Sequence, residues 1–153
     1  MRLSFQEKIP GITCFGCGPS NPKGLQIKSY WNEKGQAICH FTPDGHHNGP
    51  PNIVNGGILA TLVDCHSVCT AMADAYRREG RDLGEGIPIW YVTGNINVTF
   101  RAPTPLGCEL ELCASVIEAT PRKSIVSCTI HANGLKTVEG EVIAVKLRNE
   151  QTS

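Results

Sequence analysis

The sequence predicts an α+β domain in which an antiparallel sheet of about six strands wraps one long central helix. Three observations carry this. Only the stretch from Gly56 to about Arg78 sustains a helical period. Two strand-like segments precede it and four follow it. The links within the strand pairs are short, which makes neighbouring strands antiparallel. At 153 residues the chain reads as a single domain, 1–153, able to bury about two thirds of its unfolded surface.

Residues 1–22 form a Cys/Gly/Pro-rich leading segment. Its core, Cys14-Phe15-Gly16-Cys17-Gly18-Pro19, continues into Asn21-Pro22-Lys23-Gly24 and reads as a compact loop. Leu25 to Trp31 alternates at period two and predicts a strand. Asn32 to Gly35 turns the chain, and Gln36 to Phe41 returns it. Residues 42–52 are too rich in Pro, Gly and Asn for regular structure. In the helix, apolar residues fall at 58, 59, 62, 63, 69, 72, 73 and 76, with Asn55 as N-cap and Gly80 as stop. Ala60, Thr61, Asp64, Ser67 and Ala71 make a second, small-residue face, so protein encloses the helix on both sides. After a Gly-rich connection, strands are expected over 89–101, 108–118, 123–132 and 135–147. Asn133-Gly134 is the strongest hairpin signal.

Lys plus Arg and Asp plus Glu both number 14, so formal net charge is zero. That argues against nucleic acid as a partner, because phosphate binding needs a basic excess. Charged residues make up only 18% of the chain, a hint of surface buried between subunits. No apolar run approaches a membrane span, and the first residues lack a signal-peptide core. The expectation is a cytoplasmic protein whose eight cysteines are reduced. Cys14-x-x-Cys17 has the spacing of half a zinc site. No second Cys-x-x-Cys completes it. Cys65, His66 and Cys69 lie on the predicted helix, where packing is the simpler reading. The expectation is therefore a tight turn with two buried thiols, and neither metal nor cofactor.

Asn55 to Asp64 carries the chemistry. Gly56 and Gly57 open the helix, whose N-terminus offers free N–H groups and partial positive charge to a developing oxyanion. Two turns on, Asp64 is the one carboxylate in a small, apolar run and suits the role of base or nucleophile. A solvent-facing Asp and simple close packing of the glycines are the bland alternatives.

Three motifs are similar to known ones: Cys14 to Leu25, Ile53 to Asp64, and Asn95-Ile96-Asn97-Val98-Thr99-Phe100-Arg101-Ala102-Pro103. Together they resemble the hotdog fold and, within it, the PaaI-like acyl-CoA thioesterases. Asn55 stands where that family usually has His. The resemblance implies hydrolysis of an acyl-CoA thioester with Asp64 as catalyst and Gly56 as oxyanion donor. Asn48 would orient the carbonyl or water, and Gly57 and Asn55 would border the substrate. It also implies a homodimer or tetramer, with Asp and the Asn/Gly loop from opposite subunits. Ser67 could steer the water. Arg101, Arg122 and Lys123 could meet coenzyme A phosphates. Each also reads as an ordinary surface or turn residue. A non-catalytic acyl-CoA-binding module is the alternative of a different class. A hotdog hydratase is disfavoured because the motif lacks a His.

Overall fold

The computed structural model describes residues 1–148, and in it one helix lies inside a curled six-stranded sheet. The strands are β1 (Ser29–Trp31), β2 (Ala37–Phe41), β3 (Tyr91–Phe100), β4 (Leu110–Ala119), β5 (Lys123–Ala132) and β6 (Leu135–Lys146), and helix α1 is Gly56–Arg78. Across the sheet they run β1-β2-β4-β5-β6-β3, all antiparallel. This is the hotdog arrangement the sequence predicts. Alternation produces it: Val126, Cys128 and Ile130 of β5 point inward and are sealed from solvent, and Leu110, Leu112, Val138 and Val142 do the same from β4 and β6. Leu59, Leu62 and Val63 of α1 fill the concave face. A side chain at Gly140 of β6 would come within 2.9 Å of Val63 Cγ1, so the glycine lets helix and sheet approach closely.

Two expectations shift. The pattern places the first strand at 25–31, but β1 begins only at Ser29. Gln26 has φ of 52°, which breaks the extended run, and the N–H groups of Leu25 and Ile27 donate to Phe15 and Gly16 of the Cys-rich loop. Second, α1 is in fact long and apolar enough to cross a membrane. Here it serves as the core helix, mostly buried beneath the sheet.

One polar group is sealed in that core. His66 is fully buried, and its Nε2–H donates to the Ala37 carbonyl at 3.0 Å. The carbonyl can only accept, so Nδ1 is the unprotonated nitrogen. It accepts a hydrogen bond from the Ser29 hydroxyl at 2.8 Å, while Ser29 Oγ accepts from Gln6 Nε2. Burial holds the imidazole neutral, pulling its pKa down to about 4. His66 is the satisfied helix histidine expected.

At the other extreme is β3. It is an edge strand of ten residues, and Val92, Ile96 and Phe100 stand open to solvent. A long, apolar, unpaired edge of this kind offers a template for another strand.

Candidate active site

Asp64 lies on the face of α1 turned away from the deepest core and is half-buried. The Thr93 hydroxyl of β3 donates to its Oδ1 at 2.5 Å. Gly94 is a β-bulge, the extra residue between the Thr93–Ala144 and Asn95–Ile143 pairs. Bulges re-aim neighbouring side chains, and this one breaks the strand beside Thr93. Burial raises the Asp64 pKa, the Thr93 bond partly offsets it, and the nearby Cys14 pushes it up again. No cation acts on Asp64 among the described residues. The carboxylate opens into a cavity of about 340 Å³ walled by Val68 and Met72 of α1, by Trp90, Tyr91 and Val92, and by Ile12 and cysteines of the leading segment. The arrangement is a carboxylate at the wall of an apolar chamber.

The Cys-rich loop closes one side of this cavity. Cys14 Sγ is 3.7 Å from Cys65 Sγ, and the sulfurs of Cys14, Cys17 and Cys65 all lie within 4.8 Å of one another. The Cys17 and Cys65 thiols, followed by backbone N–H groups of Cys17 and Gly16, bond to Cys14 and hold its pKa well below the ordinary thiol value. The same sharing pushes the Cys17 and Cys65 thiols up. All eight cysteines are free thiols, but of the pair expected to be buried in the tight turn only Cys17 is buried; Cys14 is exposed.

The helix N-terminus is a separate place. Asn55 is the N-cap expected: its Oδ1 accepts from Gly57 N at 2.8 Å and Ile58 N at 3.2 Å. The Gly57 N–H is thereby occupied. Gly56 opens the helix, so its N–H has no acceptor within it. Asn48 bridges to Val54 beside this end, with its side chain on the Gly49 carbonyl. Asn48 and Gly56 are thus neighbours. Eight residues of helix, about 12 Å, separate Gly56 from Asp64. One thioester carbonyl cannot touch both within a single chain.

The remaining sequence candidates scatter. Ser67 is fully buried toward Cys128 and does not line the Asp64 cavity, because its position on α1 faces the sheet. This corrects its reading as a residue that steers water. Arg101 is exposed and paired with Glu139, which Lys136 also holds at 2.8 Å. Arg122 and Lys123 are exposed at the β4–β5 turn. Arg122 lines a shallow groove with Lys146 and Arg148, but Lys123 does not. Sequence reasoning missed Thr93. The signal available for it is Gly94, an isolated glycine inside a strand pattern that marks a bulge.

Residues 51–139 match the Thioesterase superfamily, and the chain belongs to that family. A thioesterase superfamily protein of Shewanella loihica is 36% identical in sequence, with a TM-score of 0.65 over 80% of this chain and 91% of its own. A Bacillus halodurans protein crystallised with CoA is 28% identical, with a TM-score of 0.62 over 81% and 76%. Acyl-coenzyme A thioesterase THEM4 of Xenopus laevis is 28% identical over 127 residues, 81% of this chain and 51% of that protein. The chain spans about half the length of the curated relatives it matches.

Proposed function

We propose that this protein hydrolyses an acyl-CoA thioester to a free acid and CoA, as a member of the PaaI-like branch of its family. The observation that carries the reading is the placement of Asp64: half-buried, uncompensated by any cation, oriented by Thr93, and open to an apolar cavity fit for an acyl chain. Asp64 either attacks the thioester carbonyl or draws a proton from the attacking water. The tetrahedral oxyanion needs a donor near Asp64, and the Gly56 N–H of the same chain is too distant. A second copy, docked along the exposed β3 edge, would bring its own Gly56 and Asn48 to this Asp64. The names of the THEM4 relatives and the CoA held by the Bacillus halodurans protein support the substrate class. Arg122, beside Lys146, is the better placed of the proposed phosphate contacts, because Arg101 is already paired. A thiol-release screen over short, long and aromatic acyl-CoAs tests the reading. Turnover by the wild type that vanishes in Asp64→Asn supports it, and equal turnover by both overturns it.

The second reading is acyl-CoA binding without turnover, and Asn55 favours it. The residue stands at the family's His position, and its side chain is committed to capping. Saturable acyl-CoA binding by calorimetry, with no thiol released across the screen, would select this reading.

A further inference from the structure

Four cysteines lie beside Asp64, three of them (Cys17, Cys65 and Cys69) in the core and Cys14 exposed, and the hydrolytic chemistry uses none of them. Two come from the leading segment, Cys14 and Cys17, and two from successive turns of α1, Cys65 and Cys69. The pairs are spaced Cys-x2-Cys and Cys-x3-Cys, both within the range of zinc ligands. The sulfurs of Cys14, Cys17 and Cys65 converge within 4.8 Å, and Cys69, outside that group of three, lines the same cavity one helical turn beyond Cys65.

The distances discriminate among uses of such a cluster. A disulfide needs sulfurs about 2.05 Å apart. Cys14 and Cys65 are at 3.7 Å. A tetrahedral zinc ion with Zn–S bonds of about 2.3 Å sets its sulfurs about 3.8 Å apart, the edge of the tetrahedron. An iron–sulfur cluster divides its thiolates among different irons, which spreads them beyond a single tetrahedral edge. Cys14, Cys17 and Cys65 therefore have the dimensions of three corners of a mononuclear site, and Cys69, on the next turn of α1, is the thiol available to close the fourth.

The loop is built around the sulfurs. A side chain at Gly16 would place its Cβ 2.3 Å from Cys65 Sγ, and one at Gly18 would lie 2.5 Å from the Cys14 nitrogen. Only residues without a Cβ let the backbone fold so tightly over the thiols. The Gly18 N–H closes the turn on the Cys14 carbonyl at 2.8 Å.

We propose that Cys14, Cys17, Cys65 and Cys69 bind one zinc ion as four thiolates. The expectation of a plain turn with buried thiols stops short of this because the two pairs lie about fifty positions apart in sequence and meet only in the fold. Binding converts four thiols and Zn²⁺ into a tetrathiolate complex and releases four protons. A closed four-sulfur site leaves no position for substrate, so the ion is structural. It ties the leading segment to α1 at the residue after Asp64, and so holds one wall of the acyl cavity in place.

The test uses the whole 153-residue chain. Wild-type protein, purified in reductant from zinc-supplemented culture and dialysed, is analysed for metal by mass spectrometry. About one zinc per chain is expected, released in step with modification of four thiols by an organomercurial. Cys14→Ser and Cys65→Ser are expected to lose at least tenfold in zinc content, while Cys113→Ser, on β4 away from the cluster, keeps it. Cobalt substituted into the wild type is expected to give intense thiolate charge-transfer and tetrahedral d–d bands, with the charge-transfer band weakened by about a quarter in Cys69→Ser. Less than about 0.1 zinc per chain after reconstitution with Zn²⁺ and reductant would overturn the proposal. So would a metal-free chain two mass units light, which marks a disulfide, or iron in place of zinc. An unchanged cobalt spectrum in Cys69→Ser would remove the fourth ligand. None of these readouts depends on thioesterase activity, so failure of the zinc site and failure of the catalytic reading are distinguishable.

Discussion

Asp64 and Asp74 lie ten residues apart on the same helix, and their surroundings differ in kind. Asp74 is nearly sealed from solvent, yet Arg77 reaches its Oδ1 at 2.8 Å and Arg78 its Oδ2 at 2.9 Å. Both oxygens are engaged by cations, and Arg77 in turn stacks on Trp31. Asp64 is less buried and far less compensated: one hydroxyl holds one oxygen, and the other faces the cavity. The comparison teaches that burial alone does not make a reactive carboxylate. A carboxylate held by two guanidiniums has its lone pairs taken, whereas one held by a single hydroxyl is oriented and still available. The C-terminal half of α1 ties its carboxylate down with two arginines, and the N-terminal half leaves one open to a cavity, as the proposed chemistry requires.

The sharpest way to break this contrast is to neutralise the two carboxylates in turn. Asp64→Asn keeps the shape and the Thr93 contact but removes the proposed base. Hydrolysis is expected to fall by about 10²–10⁴-fold, the usual worth of a positioned general base, with thermal stability nearly unchanged. Thiol-release kinetics and a melting curve on the same sample check it; a variant that unfolds instead would place Asp64 with Asp74 as a structural residue.

Between the two carboxylates sits the core's own polar anchor. His66→Leu removes the acceptor of the buried Ser29 O–H, whose oxygen keeps Gln6, and the donor to the Ala37 carbonyl, and is expected to cost about 3 kcal/mol. A midpoint in urea unchanged from wild type would show that the network contributes nothing. Asp74→Asn comes next, at about 1–2 kcal/mol, because both arginines are partly exposed and can turn to water once released. Its melting temperature should drop by about 3–6 °C while turnover stays within about twofold. A loss of activity matching that of Asp64→Asn would erase the division of the helix into two roles.

How far this division is legible in the sequence depends on how local each signal is. The helix, its Asn55 cap and the Asn133-Gly134 hairpin rest on neighbours in sequence, and they form as the pattern predicts. Asp64 stands out because a lone carboxylate among small residues is odd wherever the helix packs. Its half-burial follows from those same small residues. What the sequence hides is every pairing that the sheet makes at a distance. Thr93 meets Asp64 only because β3 returns along the far edge and a bulge interrupts it there. Ser67 reads as a neighbour of Asp64, but three residues along a helix turn it toward the sheet and Cys128. The late start of β1 comes from one residue, Gln26, whose positive φ no period-two pattern reveals.

The smallest effect is also the one that separates the two roles within a single residue. Asn55 accepts two N–H groups of the first helical turn, so Asn55→Ala should cost about 1 kcal/mol of stability. Asn55→Asp keeps both acceptors and adds a negative charge that the helix N-terminus favours, so stability should hold or rise by about 0.3–1 kcal/mol. The same charge sits beside Gly56, where the proposed oxyanion develops, and there it repels. Turnover by Asn55→Asp is expected to fall about tenfold, equivalent to about 1.4 kcal/mol in the barrier. A stabilised but slower enzyme would show that the first turn of α1 serves the reaction through its positive end. A stabilised enzyme of unchanged rate would mean that the oxyanion is held elsewhere, and that the N-terminus of α1, like its C-terminus, serves only the fold.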